Sequence, residues 1–309
     1  MSYEGKMLQD LKMPRREDVE RSLLLSLFKH NGVIKEFGQG QEIVNEIADI
    51  FRLDETQRKA FLETIYHKEN RTKKSLLWHR LLFRAADTLA KRNLVSRPTD
   101  TYTLTKKKEW MLTEKGVDKA LTLLNISKNL KTILLVKSFE VEKVKKKIIS
   151  ARRPINYDPI DVEKRTKKVT KETVIRSRGF RQAIVEAYDY RCSVCGMKIN
   201  SPDSSSWEVE AAHIVPRSSF GKDDIWNGLA LCRFHHWAFD VGWFTLFEDY
   251  KIQVSSKIGS VPFDFGGIGN FDIIRALPRD MSSIFLPKWS NIFPHKCSIQ
   301  WHRENVFFY

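Results

Sequence analysis

Acidic residues are in deficit in this chain, cysteines are few, and no apolar run is long. Thirty-eight Asp and Glu stand against 53 Lys and Arg, giving a formal net charge of +15 and a pI near 9.6. That balance suits a polyanionic partner, and nucleic acid is the commonest one. Four cysteines in 309 residues argue against a disulfide framework and for a reducing, cytoplasmic interior. The longest early apolar run, Leu23 to Phe28, is interrupted by Ser26. It falls far short of the roughly 20 residues a membrane helix needs and lacks a signal-peptide layout, so no membrane partner is expected. What remains is 42% hydrophobic and 11% aromatic, enough for packed cores and, at this length, for about two domains.

The positive charge is unevenly placed. Residues 126 to 181 hold 17 Lys or Arg against 6 Asp or Glu, which is +11 of the whole +15. Val141, Val144 and Ile148 suggest a helix there, ringed by Lys143, Lys145, Lys146 and Lys147. Arg152-Arg153-Pro154 through Lys171 then reads as a linker with two prolines. A basic joint of this kind fits phosphate tracking, with Lys145, Lys146 and Lys147 as contacts and binding that weakens steeply with salt.

Two metal-site patterns share the stretch from Arg191 to Gly242. In the first, Cys192-x-x-Cys195 is matched by Cys232-x-x-His235. Two such knuckles make a closed, all-protein tetrahedral shell for a structural Zn²⁺ with no open position for water. Cys297 is left over and reads as a core residue.

The second pattern is His213, Asn227, His236 and Asp240. Trp207 to Ile214 reads as a strand stopped before Pro216, with His213 near its end. Asn227-Gly228 forms a turn before a short apolar strand, and FHHWAFD has helical spacing. His236 and Asp240, four residues apart, share one helix face. An imidazole on one strand and a His/Asp couple on the following helix make a site for one divalent cation, and phosphodiester hydrolysis needs those parts. A zinc deaminase would need His-x-Glu, but Ile214 and Val215 follow His213. A classical zinc finger would need its histidine pair shortly after the cysteine pair, and that order is not present.

These residues resemble the HNH (ββα-metal) nucleases, in the restriction-endonuclease branch carrying an AAHI…NGLALC…H…FD-x-G pattern. The resemblance extends upstream to Arg176 through an R-x-x-FR…AY…RC lead-in and downstream to Trp301-His302-Arg303-Glu304-Asn305-Val306-Phe307. It implies His213 as general base, Asn227 as the brace of the loop beside it, and His236 with Asp240 as ligands of Mg²⁺ or Mn²⁺. Many members carry a ligand immediately before the catalytic His, where this chain has Ala212, so Glu210 is the candidate third ligand. In the tail, Trp301 and Phe307 are expected to pack, while His302 or Arg303 could reach phosphate.

Residues 14 to about 125 read as a helical domain with a wing. Pro14 opens a helix carrying Val19, Leu23, Leu27 and Phe28; Gln41 to Phe51 places Ile43, Val44, Ile47 and Ile50 on one side; Asp54 and Gln57 form a capping box. A longer helix is expected from Lys73 to Asn93, buried along Leu77, Leu81, Ala85 and Leu89. A hairpin then follows, with Leu94-Val95 on one strand, a turn at Pro98, and Tyr102 and Leu104 alternating on the other; Thr113 to Leu124 closes the domain as a helix. This outline is that of a winged helix, and the stretch also resembles the N-terminal domain of Mrr-type restriction endonucleases, including its Asn93-Leu94-Val95…Leu112-Thr113-Glu114-Lys115-Gly116 ending. On that reading Lys73, Lys74, Trp78 and Arg80 would face DNA and Lys106, Lys107 and Lys108 would meet phosphate.

The expected fold is α+β: a mainly helical winged-helix-like domain (1–125), a basic helix and linker (126–175), and a zinc-stabilised ββα-metal domain with a β-rich extension (176–309). Residues 259 to 270 are glycine-rich and read as a loop. The expected activity is hydrolysis of double-stranded DNA by a homodimeric restriction endonuclease, with base modification as a candidate determinant. A non-catalytic DNA-binding regulator and a homing or nicking endonuclease are the alternatives.

Overall fold

The computed structural model describes residues 3–66, 71–127, 133, 136–161, 171–202, 206–260 and 279–309. The chain divides into two compact units, 1–142 and 143–309, and the basic stretch is apportioned between them. The glycine-rich segment beyond 260 and residues 162–170 of the expected linker lie outside the described residues.

The first unit is helical with a small sheet. Its helices are α1 (Tyr3–Asp10), α2 (Arg16–Lys29), α3 (Gln41–Ile50), α4 (Glu55–Lys59), α5 (Leu77–Lys91), α6 (Pro98–Thr105) and α7 (Glu114–Leu123). Strands β1 (Val33–Lys35), β4 (Val95–Ser96) and β5 (Glu109–Leu112) form an antiparallel sheet in the order β1-β5-β4, while β2 (Phe61–Tyr66) pairs with β3 (Arg71–Leu76). The apolar stripes of α2 and α5 meet in the core: Leu23 and Leu27 on one side, Leu81, Ala85 and Leu89 on the other. Each fully buried leucine contributes about 1.5–3 kcal/mol. Asp54 caps α4 by accepting from Gln57 N at 2.8 Å, and the Gln57 side chain returns the bond to Asp54 N.

Local pairing changes three details of the expected outline. The helix expected from Lys73 begins at Leu77, because residues 71–76 are β3, whose Lys74 faces Glu63 across the ladder at 2.8 Å. An opposite-charge cross-strand pair favours the strand over an exposed basic helical turn. Tyr102 and Leu104 lie on α6, opened by Pro98 in the first turn, so β4 and β5 are joined by a helix instead of a tight turn. Ile50, at the end of α3, is 55% exposed and outside the buried stripe.

In the second unit the organising elements are β6 (Glu210–His213), β7 (Gly228–Leu231) and the helix that follows them. Ahead of these come α8 (Phe139–Ile149), inside which the division between the units falls, and α9 (Lys171–Ala187); behind them come α10 (Arg233–Asp240), β8 (Phe244–Leu246), β9 (Ile252–Val254) and α11 (Lys296–Asn305). β6 and β7 pair antiparallel, with His213 opposite Gly228. α9 covers them through Phe180, Ala183 and Ile184, all fully buried. Gly228 is glycine for a steric reason: a Cβ there would sit 2.3 Å from Ile184. Residues 153–161 pack along this unit: Arg153 donates to the Phe293 and Pro294 carbonyls, and Ile160 bridges to Gly221.

Candidate active site

The cysteine knuckles converge. Cys192, Cys195, Cys232 and His235 bring one ligand atom each to within 4.8 Å of one another. His235 Nδ1 lies 3.0 Å from Cys232 Sγ and 3.6 Å from Cys192 Sγ. Neighbours on a tetrahedral zinc shell sit about 3.5–3.8 Å apart, so the donor set fits that ion. Cys195 crowds Cys192, as does Cys232, and their contacts hold the Cys192 thiol well below its usual range; the same contacts push Cys232 up. Burial works against a charged His235, yet Cys192 and Cys195 raise it to about 9. Sulfurs packed this closely want a shared cation, and Zn²⁺ would supply it.

The second cluster is of a different kind. His236 Nδ1 lies 3.0 Å from Glu210 Oε2, and His236 Nε2 lies 3.5 Å from Asp240 Oδ2. Helical spacing brings His236 and Asp240 together on α10, and β6 delivers Glu210 from beside it. All three are only partly covered. The bond to His236 holds Glu210 below the ordinary carboxylate range. Burial opposes charge on His236, but Glu210 and then Asp240 outweigh it and raise its pKa. Burial lifts Asp240, against the pull of His236 and His213. Ala212 is wholly buried in the core, so no ligand comes from that position.

His213 stands apart from that trio. Among the described residues, the Cys/His cluster is the one group of three or more such ligands that closes within 4.8 Å, and His213 does not join His236 and Asp240 at that distance. Its ring stacks on Phe180 at 4.0 Å and 20°. Its Nε2 lies 3.0 Å from Asp223 Oδ1. Asn227 is fully buried and its side chain ties the intervening loop to itself: Oδ1 accepts from Val215 N at 2.8 Å, and Nδ2 donates to the Val215 and Lys222 carbonyls at 3.1 and 3.0 Å. A Cβ on Gly221 would meet the Val215 carbonyl oxygen at 1.8 Å, so the loop closes only with glycine there.

The model of the HNH endonuclease family HNH_2 matches residues 192–246. That stretch contains both clusters and the strand, strand, helix order just described. Residues 192–246 are an HNH endonuclease domain. No curated protein matches the chain. Among solved structures, one titled a modification-dependent TagI restriction endonuclease aligns at a TM-score of 0.31 and 20% identity, over 45% of this chain and 44% of that one. The chain thus spans less than half of that protein's length.

Outside the HNH domain, the structure redistributes the residues expected to touch DNA. Trp78 is 2% exposed and donates its indole N–H to the Val44 carbonyl, so it is a core residue. Arg80 is tied to Glu4 at 3.0 Å. Lys73 and Lys74 belong to β3, not to the start of a helix. Lys145 is largely covered and paired with Glu186 at 2.8 Å, which removes it from a phosphate-tracking surface. Lys106, Lys107, Lys108, Lys146 and Lys147 are exposed. His302, expected as a phosphate contact, is buried: its Nδ1 meets Thr245 Oγ1 at 2.9 Å, its Nε2 meets the Phe239 carbonyl at 3.1 Å, and its ring stacks on Phe239. Phe307 packs as expected, and Cys297 is partly buried against the core.

Asp223 and Phe180, which flank His213, were not singled out in the sequence. Phe180 was readable as an apolar helix position and nothing more. Asp223 stands in a loop with no periodicity, where Asp is ordinary turn chemistry; its only signal is its place between a strand-end histidine and Asn227.

Proposed function

We propose that the chain is a metal-dependent DNA endonuclease of restriction type, acting in the cytoplasm on foreign double-stranded DNA. The observation that carries this reading is the placement of Glu210 and Asp240 on the two ring nitrogens of His236 inside the HNH domain. Glu210 accepts the Nδ1–H of His236 and fixes the ring, which leaves Nε2, on the Asp240 side, to meet a cation. Ligands about 2.1 Å from an octahedral Mg²⁺ lie roughly 3 Å apart, and the 3.5 Å between His236 Nε2 and Asp240 Oδ2 is close to that separation. A divalent cation held there, Mg²⁺ or Mn²⁺, supplies positive charge to the scissile phosphate and the leaving oxygen. His213 takes a proton from the attacking water. Asn227 keeps the loop between His213 and Asp223 in one conformation. The Cys192, Cys195, Cys232 and His235 shell holds Zn²⁺ and takes no part in the chemistry. The products carry 5′-phosphate and 3′-hydroxyl ends.

Reading of the DNA falls to the first unit. A helical body edged by the β1-β5-β4 sheet is the architecture a winged-helix reader needs, and exposed Lys106, Lys107 and Lys108 at the connection into β5 are suited to phosphate. In the second unit, exposed Lys146 and Lys147 are suited to phosphate as well. One such site cuts one strand, so a homodimer on a symmetric target gives a double-strand break. Incubation with genomic DNAs that differ only in base modification, with cut ends sequenced, tests the reading. Cuts that follow modification, with 5′-phosphate ends, support it; intact DNA in every sample with Mg²⁺ and Mn²⁺ present contradicts it.

A further inference from the structure

The side chain of Asp223 is 1% exposed, and that of His213 is 12% exposed. A carboxylate can only accept, so the 3.0 Å contact between Asp223 Oδ1 and His213 Nε2 puts the ring hydrogen on Nε2. Nδ1 is then the nitrogen without a hydrogen, the one able to take a proton. The Phe180 stack at 4.0 Å fixes the plane of the ring, and Asp223 fixes its rotation within that plane.

Asp223 is itself held from several sides. Arg217 Nε lies 3.7 Å from the same Oδ1, and Arg217 donates to Ser177 of α9 at 3.0 Å. The residue before it, Lys222, is fastened by its carbonyl to Asn227 and by its N–H to the Pro159 carbonyl at 2.9 Å. The residue after it, Asp224, accepts from Tyr157 Oη at 2.6 Å. Burying a carboxylate is costly unless it is paired and hydrogen-bonded; His213 and Arg217 face the Asp223 carboxylate, while the contacts of Lys222 and Asp224 hold the backbone on either side of it.

We propose that Asp223 is a positioning residue of the nuclease site: it selects the Nε2–H tautomer of His213 and so makes Nδ1 the atom that deprotonates the attacking water. This rests on the nuclease reading above and deepens it. In the step it serves, the water proton moves to Nδ1, the new O–P bond forms, the P–O3′ bond breaks, and the departing oxygen is protonated by solvent. The imidazolium so formed lies against the Asp223 carboxylate, which stabilises it without itself taking the proton.

The test uses the full chain with zinc bound. Asp223→Asn keeps the size but replaces the charged acceptor by an amide, whose N–H, when turned to Nε2, selects the opposite tautomer. Plasmid cleavage with Mg²⁺ is expected to lose about a thousandfold or more in kcat, with KM for DNA, zinc content and melting unchanged. Nitrogen-15 histidine spectra, with His213 assigned by its loss in His213→Gln, should show Nε2–H in the wild type and Nδ1–H in Asp223→Asn. Cleavage by Asp223→Asn within a few fold of wild type would overturn the proposal, as would an Nδ1–H tautomer in the wild type. If wild-type protein cuts no DNA, the nuclease reading falls, while the spectra still decide whether Asp223 sets the tautomer.

Discussion

Two clusters of histidine with cysteine or carboxylate side chains lie in one 55-residue match, and they differ in almost every physical respect. The Cys192, Cys195, Cys232 and His235 cluster uses sulfur, closes on itself within 4.8 Å, and buries all but Cys195. The Glu210, His236 and Asp240 cluster uses carboxylates around one imidazole and leaves all three side chains between 25% and 51% exposed. A closed sulfur shell has no vacancy for substrate, so its ion acts through folding free energy. Carboxylate and imidazole donors left open to solvent would hold a cation less tightly and leave room for phosphate and water. The lesson is that proximity in sequence does not make one site; donor type and coverage divide the labour.

Cys192→Ser should give the largest effect and tests the structural half of that division. It removes one of four zinc donors from a fully buried position. Apparent zinc binding is worth on the order of 10 kcal/mol in small domains, and losing one ligand should remove enough of it to unfold the second unit. Metal analysis and circular-dichroism melting should show loss of zinc and of the second unit's transition together, with the first unit's transition kept.

His213→Ala should come next and leaves both clusters standing. Cleavage is expected to fall by about 10²–10⁴, with zinc content, melting and DNA binding by gel shift unchanged. Normal cleavage by this variant would remove His213 from the mechanism.

The open cluster should also be the pH-sensitive one. Glu210 raises the pKa of His236, and a protonated His236 cannot bind a cation, so cleavage should decline as pH falls through that raised value. In Glu210→Gln the raising charge is gone, and the acid limb should move to lower pH. The same change loosens the ring and should weaken Mg²⁺ binding about 10–100-fold, read as a higher Mg²⁺ midpoint in cleavage titrations.

The smallest effect lies away from both clusters. Burial lowers the His302 pKa to about 4, below its unfolded value of about 6.5. The unfolded chain then binds more protons between those two values, so this group's contribution to stability is full above the upper one and is lost as pH falls toward the lower. The loss reaches at most roughly 3 kcal/mol. His302→Gln should melt lower near neutrality and show a shallower fall in melting temperature from pH 6.5 to pH 4.

How far these regions could be read from sequence follows the range of the interactions that build them. The convergence of Cys192, Cys195, Cys232 and His235 was legible because two knuckles carry fixed local spacing, and the His236/Asp240 couple because a helix face repeats every three to four residues. The Asp54/Gln57 cap was legible for the same local reason. Helical stripes located α2, α3 and α5, but the start of α5 was misplaced because β3 exists only through pairing with β2, a partner ten residues upstream. Trp78 shows the same limit: its basic neighbours suggested a surface, while Val44 and the core of the first unit claim its indole. Asp223 depends on a loop closed by Asn227, Gly221 and the 157–161 segment, and no local pattern marks it.

The division between the clusters can be tested on one sample: full-length protein dialysed against a chelator, assayed in parallel for bound zinc and for plasmid cleavage. Zinc is expected to remain at one ion per chain, cleavage to be absent, and cleavage to return on addition of Mg²⁺ or Mn²⁺. Cleavage that persists with zinc as the sole bound metal, or that returns only when zinc is restored, would contradict it.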